Sequence, residues 1–267
     1  MEKVDFGQVS NSYARAREDI PTALMDSLLI RNISFEGKKI ADIGAGTGAL
    51  TRKIAMRRGD VIGIEPSQEL LEQAKALNIT KNYTIPYREG TAESTGLEDS
   101  QYDLVTVMRA WHWFDREKAI NEIKRILKPK GSLLVIDSGF ITEPAVVQKT
   151  LEVLSQYVID GLKPAGAKAD TKQRINGFPV EWFEEWQNGG LELQDLYKLN
   201  YTVSFTKQAW IDRLESVSWL ASLEEQVRKQ VLKDLLKSLP DEEPYLIPHD
   251  CNVCILKWED KKDDKGI

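Results

Sequence analysis

The segment Asp42-Ile43-Gly44-Ala45-Gly46-Thr47-Gly48 restricts this chain more than any other. It follows Lys39-Ile-Ala-Asp-Ile43, an apolar run that reads as a buried strand, and precedes Leu50, Ile54 and Ala55, which fall at helical spacing. Glycine reaches left-handed backbone angles and leaves room where a Cβ would collide, so a strand, glycine turn and helix in succession bring backbone close to a ligand. Such a unit belongs to an open α/β sheet, where ligands collect at the carboxyl ends of parallel strands.

The pattern continues in the same style. Val61 to Ile64 reads as a second strand, and Ser67 as the N-cap of a helix reaching about Leu77, with Glu69 in its first turn. Tyr83 to Arg88 reads as a weaker strand containing Pro86, and Tyr102 to Met108 as a strong buried one. Asp115 is placed to cap a helix carrying Ala119, Ile120, Ile123 and Ile126 on one face, and Ser132 to Asp137 follows as a fifth strand. This alternation predicts a Rossmann-like, seven-stranded, mostly parallel sheet with helices on both faces and a helical cap insertion.

Expected divisions are 1-37, an N-terminal helical segment contributing to the site; 38-140, the ligand-binding core; and 141-190, a helical cap broken by Pro144, Pro164 and Gly166, with Trp182 and Trp186 at helical spacing. Residues 191-258 are expected to complete the sheet. They comprise strand-like Leu191 to Phe205, two helices, the second opened by a Ser222/Glu225 capping box, and a last strand from Val253 to Trp258. Residues 259-267 form a charged tail.

Composition bears on partners. A net charge of −6 argues against nucleic acid, which needs a concentrated basic surface. The longest apolar runs, such as Leu133 to Ile136, fall far short of the roughly 20 residues that span a bilayer. The start MEKVDFGQVSNSY has no signal-peptide character, and two cysteines make no disulfide framework, so a cytoplasmic location is expected. His249, Cys251 and Cys254 are too few, and alternate along a strand, so no metal site is expected. Oligomeric state is not encoded in any of these features.

Glu65 ends the second strand about twenty residues beyond the glycine turn, where an acid accepts hydrogen bonds from ribose hydroxyls. Gly44, Gly46 and Ala49 also satisfy the degenerate dinucleotide pattern, so the turn by itself leaves a nicotinamide cofactor open.

The wider set of motifs resembles the class I S-adenosylmethionine-dependent methyltransferases. DIGAGTG is similar to that family's first motif, Gly90-Thr-Ala-Glu93 to its third-strand motif, Tyr102-Asp-Leu-Val-Thr-Val107 to its fourth strand, and Leu127-Lys-Pro-Lys-Gly131 to the turn before its fifth. Lys130 replaces a glycine usual in that turn. The resemblance implies S-adenosylmethionine as cofactor, contacted by Asp42, Gly44, Ala45, Gly46 and Gly48 of the turn. It also implies Glu65 with Pro66 at the ribose, and Ala92 with Glu93 at the adenine.

Trp111-His112-Trp113-Phe114-Asp115 resembles an H-W-F-D signature of small-molecule methyltransferases related to trans-aconitate methyltransferase. Tyr13-Ala-Arg-Ala-Arg17 is similar to a segment preceding the core in the same relatives, which implies Tyr13 and Arg17 at the cofactor's methionine end. Arg109 and His112, at the tip of the fourth strand, are expected to be catalytic, with Arg109 attracting an anionic acceptor or the cofactor and His112 orienting or deprotonating the attacking atom. Trp111 and Trp113 are expected to line the substrate pocket. The function expected is methyl transfer to an O or N atom of a small molecule, possibly one bearing a carboxylate. The alternatives are a non-catalytic cofactor-binding protein and a nucleic-acid methyltransferase, though no N-P-P-Y tetrapeptide occurs.

Overall fold

The computed structural model describes residues 19–158 and 161–259. Five parallel strands form one side of the sheet: β1 (Lys39–Ile43), β2 (Asp60–Glu65), β3 (Tyr87–Glu89), β4 (Tyr102–Met108) and β5 (Leu127–Phe140). β6 (Leu191–Phe205) and β7 (Tyr245–Trp258) add an antiparallel pair, giving the order β3-β2-β1-β4-β5-β7-β6. Strand order reverses between the parallel neighbours β1 and β4, which opens a crevice at the carboxyl ends of the strands. The expected seven-stranded, mostly parallel sheet is observed.

Helices cover both faces. On one side α1 (Thr22–Ile30) and α2 (Ala49–Met56) bury Leu24, Leu28, Leu50 and Ile54 against Ile40 and Leu134. On the other, α4 (Arg116–Ile126) buries the four expected residues, Ala119, Ile120, Ile123 and Ile126. Asp115 caps α4 by accepting from the Lys118 amide, and Ser67 caps α3 (Gln68–Thr80) by accepting from the Leu70 amide, both as the sequence indicates.

Strand lengths depart from expectation in an informative way. β3 begins only after Pro86, which has no N–H to give; its carbonyl accepts from Gly63 instead. β5 and β7 are much longer than read, because they pair as antiparallel ladders far past the end of the parallel sheet, to Phe140↔His249 and Phe205↔Tyr245, whereas β6 has the bounds expected. That overhang carries a third apolar cluster, in which Trp210, Leu214, Val231 and Leu235 pack on Phe205 and Ile247.

The stretch 141–190 contributes two different things. α5 (Ala145–Ser155), a 3-10 turn at Gly166–Lys168 and a short ladder at Arg174–Ile175/Phe178–Pro179 lie at the carboxyl end of the sheet. α6 (Val180–Asn188) instead covers the sheet itself, with Trp182 and Trp186 buried beside Trp111 and Ile120. Three helices, not two, follow β6: α7 (Lys207–Glu215), α8 (Ser218–Ala221) and α9 (Glu225–Ser238). The capping box expected at Ser222 does not form. Ser222 closes α8, its hydroxyl donating to the Trp219 carbonyl, while α9 starts after Glu224 with no side-chain cap.

Candidate active site

The glycine turn leaves β1 in a left-handed conformation and passes directly under the tip of β4. Gly44 has φ +70°, and a Cβ there would lie 2.6 Å from that of Ala110. Gly48 also has a positive φ of +78°, yet its hydrogen faces the Tyr87 hydroxyl, where a Cβ would come within 2.0 Å. Gly44 and Gly46 therefore border the crevice, whereas Gly48 permits close packing of the turn on β3.

Asp42 is buried and occupied. Its two carboxylate oxygens accept hydrogen bonds from the hydroxyls of Thr51 (2.6 Å) and Thr106 (2.8 Å), tying α2 and β4 to β1. Burial pushes its pKa up to about 6, against the partial relief of those hydrogen bonds. Expected at the cofactor, it lines, with Ala45, only a minor pocket of about 20 Å³ beneath the turn.

Glu65 ends β2 facing the crevice. One carboxylate oxygen accepts from the Gly46 amide (2.9 Å), the other from the Ser67 amide (3.1 Å). Burial raises its pKa, and the two backbone donors offset that rise only in part. The carboxylate is thus held in one orientation by the turn that it faces, with remaining lone pairs available to a diol.

These groups open on a cavity of about 640 Å³ running along the carboxyl ends of β1, β2, β4 and β5. Gly44, Gly46, Glu65, Pro66, Ala92 and Glu93 line one end. Glu93 also accepts from the Asp115 amide (2.8 Å), fixing the start of the loop into α4. Arg109, His112 and Trp113 line the middle. The 3-10 turn Trp111–Trp113 rotates successive side chains by about 120°, so the two tryptophans cannot share a face. Trp113 faces the cavity beside His112, while Trp111, expected there too, is buried in the core, 5.7 Å from both Phe114 and Trp186.

Arg109 is a non-glycine residue with φ +57°, a strained angle supported by its amide, which donates to Ile136, and by its side chain. Its guanidinium meets Asp19 at 2.6 Å, and Asp19 also meets Arg213 at 3.2 Å. Tyr13 and Arg17 lie outside the described residues.

The far end of the cavity was not read from the sequence. Phe140 and Trp219 wall it, with Lys168 of the cap, Asp137 and Ser138 at the tip of β5, Asp250 and Asn252 of β7, and Arg213 of α7. Lys168 is buried against Asp137, and loss of solvent brings its pKa down to about 8. A Cβ on Gly166 would strike the His112 carbonyl at 2.3 Å, so this cap turn sits tightly on the His112 turn. One signal for Arg213 was present: KQAWIDRLE puts an arginine three residues after Trp210, on the helix face that buries Trp210 and Leu214.

His249, Cys251 and Cys254 do not converge. Cys251 is buried in the apolar cluster on one side of the sheet and Cys254 in that on the other, and among the described residues no group of three metal-ligating side chains occurs. No described helix is long and apolar enough to cross a membrane.

Comparison with known proteins identifies the family. A methyltransferase domain family matches residues 41–135, from β1 into β5. An uncharacterized methyltransferase of Mycobacterium tuberculosis is 29% identical over 91% of this chain and 88% of its own length. A ubiquinone biosynthesis O-methyltransferase of Pseudomonas savastanoi is 30% identical over 63% of this chain and 71% of its own. Among solved structures, a Haemonchus contortus phosphoethanolamine N-methyltransferase, determined with phosphomonomethylethanolamine and S-adenosylhomocysteine, aligns with a TM-score of 0.55 and 17% identity, over 97% of this chain and 61% of that one. Taken with the glycine cradle and its fixed acid, these similarities leave no place for a nicotinamide enzyme: the chain belongs to the class I S-adenosylmethionine-dependent methyltransferases.

Proposed function

We propose that this enzyme methylates an oxygen or nitrogen atom of a small, carboxylate-bearing molecule, within the H-W-F-D subgroup related to trans-aconitate methyltransferase. The observation that carries the reading is the single cavity joining Glu65 and the glycine turn to a charged, aromatic-walled end beneath the cap. A space of about 640 Å³ suits a nucleoside cofactor with a small acceptor beside it.

S-adenosylmethionine, when bound, supplies a methyl group already activated on its sulfonium. The protein's share of the chemistry is therefore placement and exclusion of water. Glu65 holds the ribose hydroxyls, Ala92 and Glu93 border the adenine, and Tyr13 and Arg17 are assigned to the methionine end. His112 orients the attacking atom and takes its proton when that atom is a hydroxyl or an amine; a carboxylate acceptor needs no base. Trp113 and Phe140 supply apolar walls, and the Gly166–Lys168 turn, seated on the His112 carbonyl, keeps solvent out. Arg109, paired with Asp19, biases the middle of the cavity toward an anion.

Calorimetric titration with S-adenosylhomocysteine, with NAD as control, tests the cofactor half. Wild type is expected to bind the first at micromolar concentration and to ignore the second, and Glu65→Ala is expected to bind at least about tenfold more weakly, roughly 1.4 kcal/mol. Equal affinity in the variant would remove Glu65 from the site.

A further inference from the structure

Burying a polar group without a partner costs about 1–3 kcal/mol, and more for a charged one, so such groups are few and demand explanation. Among the described residues nine buried side-chain polar atoms have none, and five belong to Ser138, Tyr201, Arg213, His249 and Asn252. Strand register puts three of these on one face of the sheet: Phe140 pairs with His249, His249 with Tyr201, and Ser138 with Cys251 two residues along. Arg213 joins them from α7, its guanidinium 5.7 Å from the Phe140 ring and within electrostatic reach of Tyr201.

Arg213 is 2% exposed. Its Nε donates to Asp19, which holds the side chain in place, while its Nη1 has no acceptor among the described residues. A guanidinium does not lose its charge at any physiological pH, so this nitrogen cannot escape the cost by deprotonating. Ser138, 9% exposed, lines the same cavity; its hydroxyl lies close to that of Tyr201, and neither has a partner of good hydrogen-bond geometry among the described residues. The cavity there is closed in by Phe140 and Trp219, whose rings stand edge to face 6.4 Å apart.

We infer that Arg213 is the specificity-determining residue of the acceptor site, its free Nη1 receiving a carboxylate of the bound acceptor with the Ser138 hydroxyl as second donor. Two donors match the two oxygens of a carboxylate, and the flat aromatic walls of Phe140 and Trp219 fit a planar monoanion better than a phosphate with three charged oxygens. Asp19 acts as the positioning residue: by engaging Nε it fixes the direction of Nη1. The inference rests on the functional reading above, that one cavity holds both cofactor and acceptor. A carboxylate from the cofactor's own amino-acid portion has the same chemistry, so the test separates the two sources.

Protein saturated with S-adenosylhomocysteine is titrated with benzoate, phenylacetate, hexanoate and glutarate, each against its primary amide. In wild type at least one acid is expected to bind tenfold more tightly than its amide. In Arg213→Gln that preference is expected to fall below twofold, and in Arg213→Lys to be partly kept. Affinities for S-adenosylhomocysteine and for 5′-methylthioadenosine, which lacks the amino-acid portion, are expected to stay within twofold of wild type. Should Arg213→Gln fail to fold, Arg213→Lys and Ser138→Ala carry the test, each expected to weaken the acid and leave S-adenosylhomocysteine alone. Equal binding of acids and amides to wild type would overturn the inference, as would an acid preference that survives the variants. Selective loss of S-adenosylhomocysteine, with 5′-methylthioadenosine unaffected, would assign Nη1 to the cofactor instead. Failure of wild type to bind S-adenosylhomocysteine would sink the functional reading itself, an outcome distinct from all of these.

Discussion

The two ends of the cavity are built on different principles. At the Glu65 end, the turn that faces the ligand and the acid that faces the turn are joined by backbone hydrogen bonds, and the determining residues fall within 42–67. At the Arg213 end the chemistry is carried by side chains delivered from remote places: Asp19 before the sheet, Arg109 after β4, Lys168 in the cap, Arg213 on α7 and Asn252 on β7. A backbone-made site tolerates little local change, because its geometry is the fold. A side-chain-made site can be rewritten residue by residue while the fold stands, which suits the part that distinguishes one acceptor from another.

Gly44→Ala should break the first end most severely. The new methyl group would meet Ala110 at 2.6 Å on a backbone already at φ +70°, so S-adenosylhomocysteine affinity is expected to drop by about a hundredfold by calorimetry. Binding within threefold of wild type would refute the idea that the turn is a backbone cradle.

Asp42→Asn should separate structure from ligand contact at the same end. With a folded pKa of about 6 against an unfolded value of 3.8, Asp42 holds a proton in the native state that the unfolded chain releases between those pH values. Its charge therefore costs stability as pH rises from about 4 to 6, by about 3 kcal/mol, and the cost persists above. The variant is expected to gain on wild type in urea denaturation across that window and to keep its advantage at pH 7. A difference between the two proteins that does not change with pH would mean that Asp42 ionises normally.

The smallest effect on the fold is expected at the other end. Trp219 is half-buried at the cavity wall, with its indole N–H donated to the Lys163 carbonyl. Trp219→Ala should cost less than about 1 kcal/mol of stability and leave S-adenosylhomocysteine binding intact, while methyl transfer to a screened acceptor falls. A loss of cofactor affinity instead would show that the two ends are not separable.

This contrast also accounts for what could be read in advance. β1 and β4 were legible to the residue, because a fully buried parallel strand announces itself as a short apolar run bounded by turn residues. β6 was also read at its full length, but the overhanging ends of β5 and β7 were not, because half-exposed antiparallel segments take glycine, proline and polar residues, as at Gly139, Pro248 and Asp250, and lose the apolar signal. Trp111 and Trp113 could not be told apart from sequence, since the 3-10 turn that sends one to the core and the other to the cavity is decided by the packing of α6 and the cap around it.

The sequence by itself determined the α/β alternation, the glycine turn, the acid that closes β2 and the caps of α3 and α4. All of these are local: each depends on residues within a few turns of one another and on backbone preferences that act before any core exists. Only the tertiary structure decided that Asp42 is a buried strut, that Asp19 is shared between Arg109 and Arg213, and that unsatisfied polar atoms of Ser138, Tyr201, Arg213 and His249 gather around Phe140. Burial and charge pairing between segments up to 194 positions apart arise only once the sheet has assembled, and no local pattern of residues encodes them.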